Sequence, residues 1–176
     1  MKIQVNADKT LMTVGDRAIK CSCIVRNEVN GWRKSNEVVL SEPSPGSPYM
    51  PRVFPSGSWN VGMPSREAST PSYIMYWWIP TDAWQLLPVW TTKEQESHEE
   101  YVEATGQNIR DSGYGLHCSS SPTTLGCIRI GEAIGAGEEQ ASVDSKMAAA
   151  RADIEWLATQ IITAHQRGEP VVLEVA

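Results

Sequence analysis

The stretch Gly115-Leu-His-Cys-Ser-Ser-Ser-Pro-Thr-Thr-Leu-Gly-Cys-Ile-Arg-Ile130 sets His117 ten residues ahead of Cys127, which follows Gly126 directly and stands two residues before Arg129. A thiol with an unperturbed pKa of about 8.5 is roughly a few per cent thiolate at pH 7, so it needs help to act as a nucleophile. An imidazole that accepts its proton, with a cation nearby, supplies that help. Gly126 removes a side chain where the backbone must bend, which lets N–H groups around Cys127 converge on an oxyanion. Nucleophile, base and donor cluster thus fit within the thirteen residues from His117 to Arg129.

Thr124-Leu-Gly-Cys-Ile-Arg129, with Gly-Leu-His upstream, resembles the signature of the L,D-transpeptidases, cysteine enzymes that act on bacterial peptidoglycan stem peptides. That signature is a Ser or Thr, any residue, Gly-Cys, an apolar residue and Arg, with the catalytic His earlier on an adjacent strand. The resemblance implies Cys127 as nucleophile, His117 as general base, and Thr124, Gly126 and Arg129 in the supporting positions. Pro55-Ser-Gly-Ser-Trp-Asn-Val61 is similar to the family's Thr-Pro-x-Gly-aromatic stretch, and Arg167-Gly-Glu-Pro-Val-Val-Leu173 to its closing Gly-x-Pro-Val strand. It further implies a single catalytic domain over residues 1–176 and a mainly β fold: an L,D-transpeptidase-like sandwich or barrel with a C-terminal helix followed by a last strand. Neither a cofactor nor a metal is implied.

Phe54 stands where the family usually has Thr, Leu125 where His often precedes Gly-Cys, and Cys118 where Gly commonly follows the catalytic His. With the short interval from His117 to Cys127, these features resemble the compact members among type VI secretion effectors and phage or prophage lysis proteins. That likeness implies L,D-carboxypeptidase cleavage or D-amino-acid exchange through a thioester, ahead of conventional 3-3 crosslinking. The implied partners are peptidoglycan stem peptides, with an immunity protein or a secretion or virion component. A different class of function is a virion or tail component that binds or locally degrades peptidoglycan. A pure binding module needs neither Cys127 nor His117, and that favours catalysis. Arg129 either binds a substrate carboxylate bidentately or braces its loop through backbone carbonyls. Tyr114 and the Ser119–Ser121 run are candidates for contact with the stem peptide.

Composition bounds the rest. At 176 residues the chain is one domain by length, and 41% hydrophobic with 20% charged residues is ordinary for a soluble globular protein. Seven tryptophans against a single phenylalanine supply flat faces that suit peptide or sugar ligands as well as cores. A net charge of −6 without a Lys/Arg cluster argues against nucleic acid as a partner. Met1–Thr10 lacks an apolar core and a cleavage site, so no signal peptide is expected, and no run approaches the ~18 apolar residues of a membrane span. An enzyme of this kind is then made in the cytoplasm and reaches the periplasm or wall by a non-Sec route.

The first half reads as β. Lys2–Asn6 and Thr10–Val14 suit a hairpin turning at Ala7-Asp-Lys, and Arg17–Val25 alternates with Ile19, Cys21, Cys23 and Val25 on its apolar face. Ser41–Pro51 is a proline-dense loop; Trp59–Val61, Tyr73–Ile79 and Trp84–Trp90 are short aromatic strands, and Gly113–Cys118 is the strand of the base. Met147, Ala150, Ile154, Leu157, Ile161 and Ala164 form one apolar helical face, with a start at Asp144 or Ser145 and a stop at Arg167-Gly168, before a strand over Val171–Val175. Cys21, Cys23 and Cys118 read as packing residues, with a disulfide from Cys118 to Cys21 or Cys23 left open. Lys93–Tyr101 with His98 reads as a solvated acidic stretch, His165 as a residue of the last helical turn, and Gly131–Gln140 as a mobile rim beside Cys127.

Overall fold

The computed structural model describes residues 1–24, 53–66, 75–86, 110–111, 113–121, 124, 126–135 and 137–176. The proline-dense loop at Ser41–Pro51, the acidic stretch with His98 and the end of the third aromatic stretch, 87–90, lie outside them. The protein is mainly β: an eight-stranded mixed sheet curls into a half-barrel, accompanied by one C-terminal helix and a final strand.

The expected hairpin forms β1 (Lys2–Val5) and β2 (Leu11–Val14), paired antiparallel with Val5 opposite Met12. Its turn is held by Asn6, whose side-chain oxygen accepts the Thr10 and Leu11 N–H groups, while Lys9 takes the left-handed φ of 58°. An Asn that bonds the backbone a few residues on is a standard turn device. β3 (Arg17–Ser22) follows, with Ile19 and Cys21 buried and Ala18 and Lys20 exposed, as period-2 alternation requires. The aromatic stretches form β4 (Gly57–Asn60), β5 (Met75–Pro80) and β6 (Gln85–Leu86), the last paired with β7 (Arg110–Asp111) in a separate two-stranded sheet. β8 (Gly115–Ser119) and β9 (Ile128–Ile130) lie side by side and parallel.

The large sheet runs in the order β4, β10, β1, β2, β3, β9, β8, β5, where β10 is Val172–Val175. Its two edges meet. Gly62 N–H donates to Pro80 O at 2.8 Å, Ser65 and Trp78 exchange backbone bonds, and Asp82 clamps Asn60 through its side-chain amide and backbone N–H. Joining edges in this way removes the unpaired strands that invite aggregation.

α1 (Gln140–Gln166) buries Ala150, Ile154, Leu157, Ala158, Ile161 and Ala164, five of the six expected face residues plus Ala158; Met147 is half-buried. These pack with Ile3, Met12, Ile19, Leu116, Ile128 and Leu173 in one core. The helix starts before the expected Asp144 or Ser145: Glu139 is the N-cap and makes no side-chain capping bond. Asp144 instead accepts from Gln140 one turn back, and Lys146 pairs with Glu138 at 2.6 Å, so tertiary and i,i+4 contacts replace a cap. The stop is as expected. Gly168 at φ 70° lets Glu169 N–H reach Ala164 O and its own N–H reach His165 O, a Schellman motif. His165 sits in that last turn with its ring nitrogen 3.0 Å from the Val61 carbonyl, fastening the helix end to the segment after β4.

Candidate active site

Register fixes the site. Trp78 of β5 is opposite His117 of β8, His117 is beside Arg129 of β9, and Arg129 is opposite Ser22 of β3. Cross-strand neighbours share a face, so these four residues form one row across four strands. The β8–β9 pairing ends at Leu116 and Ile128, and Cys127 stands directly before β9, at the end of the turn that leads into it.

Cys127 is carried on a turn that Thr124 ties shut. The Thr124 hydroxyl donates to Cys127 O at 2.9 Å and accepts the Gly126 N–H at 3.1 Å. Gly126 adopts a φ of 115°, a conformation that a Cβ would penalise, which accounts for glycine before the cysteine. Its N–H is committed to Thr124, so the glycine shapes the turn and an oxyanion would have to draw on other donors. Its carbonyl accepts the Cys23 thiol at 3.4 Å, and Cys23 in turn accepts the Phe54 N–H. The Cys127 thiol, 9% exposed, points toward Gly113 O at 3.9 Å, a distance too long to hold it firmly.

His117 is 4% exposed, and its Nδ1 is buried without a hydrogen-bond partner. Burial, and then the neighbouring Arg129 charge, push its pKa down to about 4. The imidazole is therefore neutral at pH 7 and has a nitrogen to spare. Leaving a buried polar atom unmet costs about 1–3 kcal/mol, and such atoms concentrate where function needs them.

Arg129 is 1% exposed, and its guanidinium is spent on the protein itself. Nε donates to Ser119 O at 2.9 Å, one terminal nitrogen to Glu132 O at 2.8 Å, and the other meets Met147 Sδ at 3.3 Å. Of the two roles the sequence allowed it, bracing is the one these contacts perform. Tyr114 is also scaffold: it is fully buried, edge-on to Phe54, and its hydroxyl accepts from Gln85. Ser119 is fully buried too, with its hydroxyl unpartnered on the face of His117.

The remaining thiols are kept quiet. Burial drives Cys118 up to about 11 and Cys21 to about 12, and raises Cys23. None of the four cysteines is in a disulfide. Ile130 lies between Cys118 and Cys21 in register, which separates those two by two strand spacings, about 9.6 Å, beyond the reach of a disulfide. The glycine-rich segment expected as a rim follows the far end of β9. It is tied down, with Gly131 against Ala150, Glu132 bonded to Lys20 and Glu138 to Lys146.

Trp78 was not legible as a site residue. Its indole stacks on the His117 ring, with centroids 6.3 Å apart and planes 28° apart. Against protein-family models, curated proteins and solved structures, the chain has no match. Among the described residues no helix is long and apolar enough to cross a membrane.

Proposed function

We propose that the protein is a cysteine-dependent enzyme of peptidoglycan stem peptides, an L,D-carboxypeptidase or D-amino-acid exchanger working through a thioester. The observation that carries this reading is a buried imidazole with an unpartnered nitrogen, on the strand that pairs with the one a thiol on a glycine turn leads into. A structural histidine would have its nitrogens satisfied, and a structural cysteine needs no turn at φ 115°. In this mechanism His117 takes the proton from Cys127, and Sγ attacks the carbonyl that joins the L-centre of the diamino acid to D-alanine. The C–N bond breaks, the amine leaves with the proton from His117, and a thioester remains. Water or a D-amino acid then attacks the thioester and releases Cys127. Burial, and then the Arg129 guanidinium, disfavour a standing imidazolium, so proton transfer is coupled to attack rather than stored as an ion pair.

Incubation with purified tetrapeptide muropeptides, read by mass spectrometry, tests the proposal. The expected product is the tripeptide, or a stem whose terminal D-alanine has been exchanged for added D-amino acid. Dimers joined through two diamino acids would make it a crosslinking enzyme, and retention on peptidoglycan without turnover would make it a binding component.

A further inference from the structure

Trp78 owes its place beside His117 to an irregularity in the ladder. β5 and β8 pair Tyr76 with Cys118 and then Trp78 with His117, leaving Trp77 as an extra residue. Without that bulge Trp78 would pair with Leu116, and its indole would turn to the opposite face. The bulge is costly. Trp77 sits at φ 49°, which for a bulky residue is of order 1–3 kcal/mol, and its indole nitrogen is buried without a partner. Gly115 is a second concession: a Cβ there would lie 2.6 Å from the Trp78 ring and 2.7 Å from Ile79 O. Both concessions serve one result, an indole beside the imidazole, offset from it and tilted by 28°.

We propose that Trp78 is the positioning residue of His117, holding the imidazole in one orientation for proton transfer with Cys127. The inference rests on His117 acting as the base, as proposed above. β9 presents the Arg129 charge to His117, Cys127 precedes that strand, and β5 presents the uncharged Trp78. A ring with an aromatic neighbour on one side and Arg129 on the other has fewer orientations open to it before substrate arrives, and a misplacement of about 1 Å at such a group can cost about 100-fold in rate. Trp78 acts through His117 and not on substrate, so its loss falls on kcat.

The experiment compares Trp78→Phe, Trp78→Ala and Gly115→Ala with the parent protein, by muropeptide kinetics and by 15N NMR titration of His117. In Trp78→Ala, kcat should fall about 10- to 100-fold with KM changed by less than about twofold, while Trp78→Phe keeps kcat within about threefold because a flat ring remains. The His117 midpoint should climb from about 4 toward its ordinary value as water reaches the ring. An unchanged kcat in folded Trp78→Ala, or a loss confined to KM, overturns the proposal. Should Trp78→Ala fail to fold, Gly115→Ala displaces the indole instead, and unaltered kcat and titration there overturn it equally. If the parent protein turns over no stem peptide, the functional reading fails. The titration and the rate of Cys127 alkylation by iodoacetamide still decide the role of Trp78, since neither needs substrate.

Discussion

Leu116, Cys118, Ile128 and Ile130 point to one face of β8 and β9, and His117, Ser119 and Arg129 to the other. Every one of these side chains is buried, yet burial does opposite work on the two sides. On the first face it joins aliphatic groups to the helix core and drives the Cys118 thiol up to about 11, so that sulfur behaves as a small hydrophobe. On the second it holds a guanidinium against carbonyl oxygens, keeps an imidazole neutral and leaves two polar atoms unmet. One face contributes stability, and the other gives some of it up in unmet polar atoms.

The sharpest way to break that contrast is to exchange the thiols for alanine one at a time. Cys127→Ala should reduce muropeptide turnover to background while the far-UV circular dichroism and the melting transition stay close to the parent's. Cys118→Ala should do the reverse, keeping turnover and losing about 1 kcal/mol or so of stability. Turnover retained by a folded Cys127→Ala protein would sink the cysteine mechanism. Next in size is His117→Gln, for which kcat should fall about 100- to 10,000-fold, the usual range for removing a general base. A parallel loss in the rate of iodoacetamide labelling at Cys127 would tie the effect to the thiol.

Leu116→Ala probes the opposite face. It should cost about 2–5 kcal/mol in urea unfolding, since a fully buried leucine leaves a cavity, while the folded fraction keeps its kcat. A fall in kcat there would mean that the two faces are coupled. A further effect concerns pH. His117 has a folded pKa of about 4 against an ordinary value of about 6.5, so the unfolded chain binds the extra proton between those values. Its contribution to stability is complete above pH 6.5 and is lost as pH falls through 4, amounting to at most about 3 kcal/mol. Urea midpoints measured from pH 7 to pH 4 should decline less steeply in His117→Gln than in the parent.

The local part of this architecture was legible in the residues. Asn6 through Thr10 announce a turn, Ile19 and Cys21 alternate with Ala18 and Lys20, and the spacing from Ala150 to Ala164 can only be one side of a helix. Of the candidate site, the turn of Thr124, Gly126 and Cys127 was legible, because a glycine with positive φ and a hydroxyl that ties a turn are short-range devices. Long-range pairing was not. That β8 and β9 run parallel, so that His117 meets Arg129, is a matter of register between strands, and the intervening loop does not dictate it. Trp78 was hidden for a further reason: one of seven tryptophans reaches the imidazole through a one-residue bulge, which inverts the facing that simple alternation predicts. The early helix start was missed because no side chain caps it: Glu139 makes no capping bond, and the start is braced instead by Gln140 to Asp144 and Lys146 to Glu138.

The parallel pairing of β1 with β10, Lys2 beside Val172, closes a loop of 170 residues, and Met1 is fastened to Pro170 O by its own amine at 2.6 Å. β4, too, finds its neighbour in the large sheet through β10. The middle of the seam therefore stays open until β10 docks between β1 and β4, so its closure is governed by non-local contacts. Pulse-labelled hydrogen exchange should show β4 and the β10-facing amides of β1 gaining protection together, and late, with the β1–β2 and β2–β3 hairpins protected before them.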